Sequence, residues 1–293
     1  MQISMKWKQA NRWLMTALIA ALLGCGGSES RAETPSPAGS DQSADEMGLA
    51  SEGSGEEAEA TPPSPPPPTV IVSQNTPLEG AAPTLRITAP RANQLIRSGN
   101  VEVRLEVRNW PLESPQGPHL HLIIDNEPYI AIRDVSRPLD LNTLVRENLG
   151  HELAEGTHVL RMFPSRGHHE SVKEPGSFGV VVFHYRSRTP DFTFDPTAPL
   201  LTYSRPKGCN PTGQRVLLDF YLTNTEISAS GNRVHWTLDD VSGDITEWLP
   251  HWIENLGEGE HHISLELRDA QGNAIPGLFN RTARTFTMAA SCP

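Results

Sequence analysis

Histidine is the residue type whose placement here most suggests chemistry. The chain holds eleven, and seven of them fall between residues 83 and 190. His119 and His121 alternate with Leu120 and Leu122. Residues two apart in a strand share a face, so this pair sets two imidazoles side by side, a spacing that suits a single metal ion. His168, His169 and Glu170 stand in the loop after the strand that starts near His158. If neighbouring strands carry that loop to the outer face of His119 and His121, three or four neutral imidazoles with Glu170 suit copper or zinc. Solvated turn residues are the competing interpretation, and no cysteine or thioether accompanies the set. His158 and His261 share the parity of the inward residues of their strands. They are expected at the rim of a core, bonded to a backbone carbonyl.

Other constellations are weaker. Ser165 and Ser171 flank His168 and His169, but no G-x-S-x-G elbow occurs. Asp239 and Asp240, or Glu258 and Glu260, lie at turns, and the glycine clusters stand in turns or in a low-complexity segment, not in phosphate loops. No catalytic residue is therefore named, and the chain is expected not to be an enzyme. Trp248 and Trp252 bracket His251. Exposed, they would make a ridge for sugar or protein; buried, they would close the bottom of a sandwich.

The elements that must position these residues are strands. Val101 to Arg108 alternates apolar and charged residues, and His119 to Asp125 alternates similarly. Further strands are expected at Leu85 to Ala89, Tyr129 to Ile132, His158 to Phe163 and Phe178 to Tyr185, with one helical turn around Leu141 to Glu147. Val180 to Phe183 is apolar on both faces, which suits packing of one side against a second domain. Val216, Leu218, Phe220 and Leu222 then repeat the first alternating strand, and Val234, Trp236 and Leu238 repeat Leu120, Leu122 and Ile124. Setting Asp239 on Asp125 puts His235 on His121, and setting Gly259 on Gly156 puts His261 on His158. The fold class is all-β: two antiparallel sandwiches in tandem, residues 83–190 and 191–293, arisen by internal duplication. The segment from Leu256 to Asn273, with its glycine turn, histidine, alternating strand and Asp-x-x-Gly-Asn, resembles the penultimate hairpin of bacterial immunoglobulin-like and fibronectin-type repeats. That resemblance implies architecture, not activity.

At the amino terminus, Lys6, Lys8 and Arg12 precede an apolar run from Trp13 to Leu23, the pattern of a signal peptide and too short for a spanning helix. The run ends in Leu22-Leu23-Gly24-Cys25, which resembles the lipobox of bacterial lipoprotein precursors. The resemblance implies removal of residues 1–24, lipid on Cys25 and a lasting membrane anchor. With Gly26 after the cysteine, the outer membrane is the expected site, facing periplasm or cell surface. Residues 25–82 are rich in Gly, Ser, Pro and acids, the composition of a disordered stalk with a reach of roughly 40 Å. The stalk carries about nine of the formal net charge of -11. No basic stripe is present, which excludes nucleic acid as a partner. Export makes a disulfide the default for the remaining pair, Cys209 and Cys292. Together these features lead to a lipid-anchored, non-enzymatic binding or scaffold protein of the cell envelope. Its partner is another envelope protein or a glycan, and it has no cofactor. The alternatives are an exported copper- or zinc-binding protein and a carbohydrate-binding module.

Overall fold

The computed structural model describes residues 66–174 and 176–292. The expected signal peptide, Cys25 and the stalk up to residue 65 lie outside them. In chain order the strands are β1 (Thr69–Val72), β2 (Thr84–Ala89), β3 (Gln94–Ile96), β4 (Glu102–Arg108), β5 (His119–Ile124), β6 (Ile130–Ile132) and β7 (Leu139–Asp140). The helix α1 (Leu141–Leu149) follows, then β8 (Gly156–Ser165) and β9 (Gly179–Tyr185). The second half holds β10 (Leu200–Arg205), β11 (Gly208–Pro211), β12 (Val216–Thr223), β13 (Arg233–Leu238), β14 (Val241–Ile245), β15 (His251–Glu254), β16 (Gly259–Arg268) and β17 (Arg281–Ala289).

These strands make two β-sandwiches. The first pairs a sheet ordered β2-β4-β7 with one ordered β3-β9-β8-β5-β6; the second pairs β1-β15-β12-β10 with β11-β17-β16-β13-β14. Strands β2 to β9 therefore map one by one onto β10 to β17, and even the parallel pairings β3 with β9 and β11 with β17 recur. Each core is built from alternate strand residues. Val103, Leu120, Leu122, Leu160, Met162 and Phe183 fill the first. Leu218, Phe220, Val234, Trp236, Leu265 and Phe286 fill the second. Trp236 lies opposite Gly243 on β14, where a Cβ would come within 2.9 Å of the indole ring. Cys209 and Cys292 form the expected disulfide and tie β11 to the chain end.

One strand has no counterpart in the repeat. Thr69–Val72, expected in the stalk, form β1 and extend the second sandwich by pairing antiparallel with β15. Threonine, valine and isoleucine side chains suit a pleated surface, and Val70 reaches the second core. The ordered body thus begins before residue 83 and in the second sandwich.

The sandwiches stack through unlike faces. The outer face of β5, β8 and β9 meets the outer face of β10 and β12. Ile123, Tyr129 and Phe163 pack there with Tyr221, and Val159 packs with Leu200 and Phe279. Val180 and Val182 line this contact, so the doubly apolar strand does face the second domain. Arg161, fully buried, donates to Thr202 Oγ1 at 2.9 Å and to the Asp125 carbonyl, with its guanidinium 3.9 Å above the Phe279 ring. Burial pulls its pKa down to about 9, which leaves it charged at neutral pH. Lys173 and the buried Asp219 form an ion pair at 2.6 Å across the same junction. Among the described residues no helix is long and apolar enough to cross a membrane.

Candidate metal centre

His119 and His121 point away from the first core, as their parity requires, but that outer face is covered. Both are fully buried in the contact between sandwiches. The expectation of an exposed pair is corrected because the second sandwich packs over it. The third imidazole comes from the loop joining β8 and β9. Ser165 and Ser171 pair across its base, Arg166 N donates to the Glu170 carbonyl, and His169 N donates to the Arg166 carbonyl. This tight return holds His169 at φ 71°. The loop tip lies on the chain just before β5: a Cβ at Gly167 would sit 2.5 Å from the Gln116 carbonyl oxygen, so only glycine allows the approach.

The result is a convergence of ring nitrogens. His119 Nε2 lies 3.1 Å from His121 Nε2 and 3.1 Å from His169 Nδ1. Ligand atoms of all three fall within 4.8 Å of one another. His119 Nδ1 faces the Gly117 carbonyl at 3.0 Å, so that nitrogen carries the proton and Nε2 is bare. His121 Nδ1 meets Ser204 Oγ at 3.1 Å, and donation there bares its Nε2 as well. Burial pushes the Tyr129 phenol up to about 12. It is therefore protonated at neutral pH, and its hydroxyl lies 3.1 Å from His169 Nδ1, a contact that a cation bound at that nitrogen would replace. The lone pairs of His119 Nε2 and His121 Nε2 then face one another across 3.1 Å, an arrangement that a cation between them relieves. Tyr129 also stacks on His121, with ring centres 3.5 Å apart and planes at 8°.

The imidazoles are held uncharged. Burial, aided by the charges of Arg133, Arg205 and Lys207, takes His119 down to about 4 against the opposing pull of the Gly117 carbonyl. Burial and Arg205 take His169 to about 3. His121 lies well below its ordinary value, first through burial and then through its two histidine neighbours. Neutral imidazole is the form that binds metal, so no proton need be displaced at neutral pH.

His168 and Glu170 do not join the convergence. His168 is half exposed and bonds Glu170 at 2.9 Å. The Glu170 carboxylate also accepts from Thr76 and sits 3.4 Å from Arg166 Nε. Its burial favours the neutral acid, but His168 and Thr76 outweigh that and hold it below the usual carboxylate range. This pair fastens the loop beside the centre. Trp248 and Trp252 form no common ridge: Trp248 packs on Tyr221 and donates to the Phe220 carbonyl, whereas Trp252 lies under Arg215. His158 is fixed by Asp125 at 2.7 Å and the Ala154 carbonyl at 2.8 Å. His261 repeats this with Asp239 at 2.7 Å and Gly257 at 2.9 Å. His235, the counterpart of His121, instead pairs with Asp244 on a face that stays partly exposed.

Tyr129, Ser204, Arg205 and Lys207 were not foreseen. A bulge between Tyr203 and Arg205 re-aims the end of β10, and Lys207 Nζ donates to the Tyr129 carbonyl at 2.7 Å. Their part depends on how two sandwiches dock, for which the sequence offers no local signal.

No protein-family model and no curated protein matches the chain. Among solved structures, fibronectin(III)-like modules of Clostridium thermocellum CbhA are similar at 13% identity and TM-score 0.25, over 70% of this chain and 94% of that one. A β-glucuronidase of Parabacteroides merdae is similar at 9% identity and TM-score 0.20 over 71% of this chain, which spans only 25% of the enzyme. Superpositions this loose add nothing to the architecture seen directly.

Proposed function

We propose that the protein is a non-enzymatic metal-binding module of the cell envelope, holding one copper or zinc ion through His119 Nε2, His121 Nε2 and His169 Nδ1, and tethered by lipid on Cys25. The observation that carries the metal assignment is the convergence of three imidazoles, two buried and one partly buried, all kept neutral, on nitrogen atoms within 4.8 Å of one another. Three imidazoles are a known zinc donor set and also suit copper. The rigid frame supports it: two ligands come from one strand, the third from a loop locked by Glu170, and the Gly117 carbonyl and Ser204 hold the far nitrogens of His119 and His121. Such outer partners orient ligands and tune affinity. The tether rests on Leu22-Leu23-Gly24-Cys25 and the run before it.

Titration of the full chain, made soluble by Cys25→Ser, with copper and zinc tests this. One equivalent should bind. His119→Ala, His121→Ala or His169→Ala should each cost more than the roughly 10- to 100-fold typical of losing an outer partner. His168→Ala and Glu170→Gln should stay within that lesser range. Equal affinity in the wild type and all three ligand variants would remove the assignment.

A further inference from the structure

The charge around the three imidazoles implies a second ligand. His119, His121 and His169 bring no negative charge, and the ionised groups acting on them are Arg133, Arg205 and Lys207. A divalent ion placed there adds two positive charges to a buried and already cationic site. Buried charge without a counter-charge is strongly disfavoured. Two buried carboxylates of the same junction are engaged elsewhere, Glu170 with His168 and Thr76, Asp219 with Lys173 and Ser171. Three protein ligands also leave a tetrahedral ion one position for an outside donor.

A cavity opens beside His169. It has a volume of about 170 Å³ and is lined by His169, Arg205, Asn210, Gln214, Arg215 and Trp252, among others, with no carboxylate in its wall. Arg205 Nε is buried there without a hydrogen-bond partner. Arg215 is exposed and lies 4.3 Å over the Trp252 ring. A water occupies about 30 Å³ of liquid, so the space fits an ion of acetate or phosphate size. Guanidinium groups recognise such oxyanions through paired N–H donors.

Resting on the metal assignment above, we infer that the centre takes a small oxyanion, a carboxylate or phosphate, as the fourth ligand of its metal, drawn in through the cavity of Arg205 and Arg215. The anion completes the coordination and neutralises the site in one step. The protein then binds metal and anion cooperatively, each raising affinity for the other by the same factor.

The test uses the full Cys25→Ser chain loaded with Co(II), whose visible bands report coordination, titrated with acetate and with inorganic phosphate. A saturable spectral change is expected with at least one of them. Arg205→Gln and Arg215→Gln should weaken that response about tenfold or more, as loss of an outer partner does, while the exposed Arg215→Gln leaves Co(II) affinity within about threefold. Because Arg205 also packs on Tyr129, the exposed Arg215 variant guards against misfolding as the cause. Co(II) bands that neither anion alters overturn the inference, as does an anion response unchanged in both variants. Absence of Co(II) bands both before and after saturating anion overturns the metal assignment itself, and the two failures are thus told apart.

Discussion

His121 bears the closest constraints of the three imidazoles. Tyr129 covers one face, Phe163 meets it edge-on and Ser204 holds its far nitrogen. A proton on any of the three is poorly hydrated, and burial is the largest cause of each shift. The consequence for stability has a definite sign. Below the ordinary histidine value of about 6.5 the unfolded chain takes up protons at these positions that the folded, metal-free protein refuses, at His119 until about pH 4. Stability from these groups therefore falls as pH drops from neutrality to that lower value. His158 acts in the other direction. Burial, the largest influence, lowers it, but Asp125 and the Ala154 carbonyl outweigh burial and raise it. Its contribution is complete below the ordinary value and is lost as pH rises through the raised one. Urea midpoints of metal-free protein at pH 7 and pH 5 should differ, with pH 5 lower. Replacing His119, His121 and His169 together with Gln should shrink the difference; an unchanged gap would refute this origin.

Strand β5 does two jobs because its two faces meet different neighbours. Leu120 and Leu122 enter the first core, while His119 and His121 enter the junction. Right after β5, Asp125 takes a left-handed turn at φ 50°, accepts from Val159 N through Oδ1 and grips His158 through Oδ2. Asp239 does the same after β13, with His262 N and His261. Removing either carboxylate strands a backbone N–H and an imidazole, so Asp125→Ala and Asp239→Ala should each cost about 2–3 kcal/mol in denaturant melts. The alternation of β5, the duplicated Asp and His positions and the shared face of His119 and His121 were legible in the sequence, because each depends on residues a few positions apart. What covers that face was not. Ser204 lies 83 positions from His121, and its contact exists only once two folded sheets dock. His169 was legible as a candidate, but not its separation from His168 and Glu170, because a left-handed backbone turn sends adjacent side chains apart. The short run Thr69–Val72 was hidden by the proline-rich segment before it, whose composition dominates any window that includes both.

On the scale of the molecule, the two sandwiches behave as one body. Arg161 and the Lys173–Asp219 pair are desolvated between them, and His121 and Tyr129 of one sandwich are held by Ser204 and Lys207 of the other. Denaturant should unfold both halves in a single transition, followed in parallel by fluorescence and circular dichroism. Reducing the Cys209–Cys292 bridge, which closes a separation of 83 residues, should lower stability by up to about 4–5 kcal/mol without splitting that transition. Two resolved transitions would contradict the coupling. The pairing of β1 with β15 bears on how this body comes into being. Thr69 precedes the whole first sandwich in the chain, yet its partner is Glu254. Strand β1 is thus the first of the described strands to be synthesised and must wait for β15 before it can be paired. The whole first sandwich lies within the loop that the pairing of β1 with β15 closes, so any part of it that folds during synthesis does so before that closure.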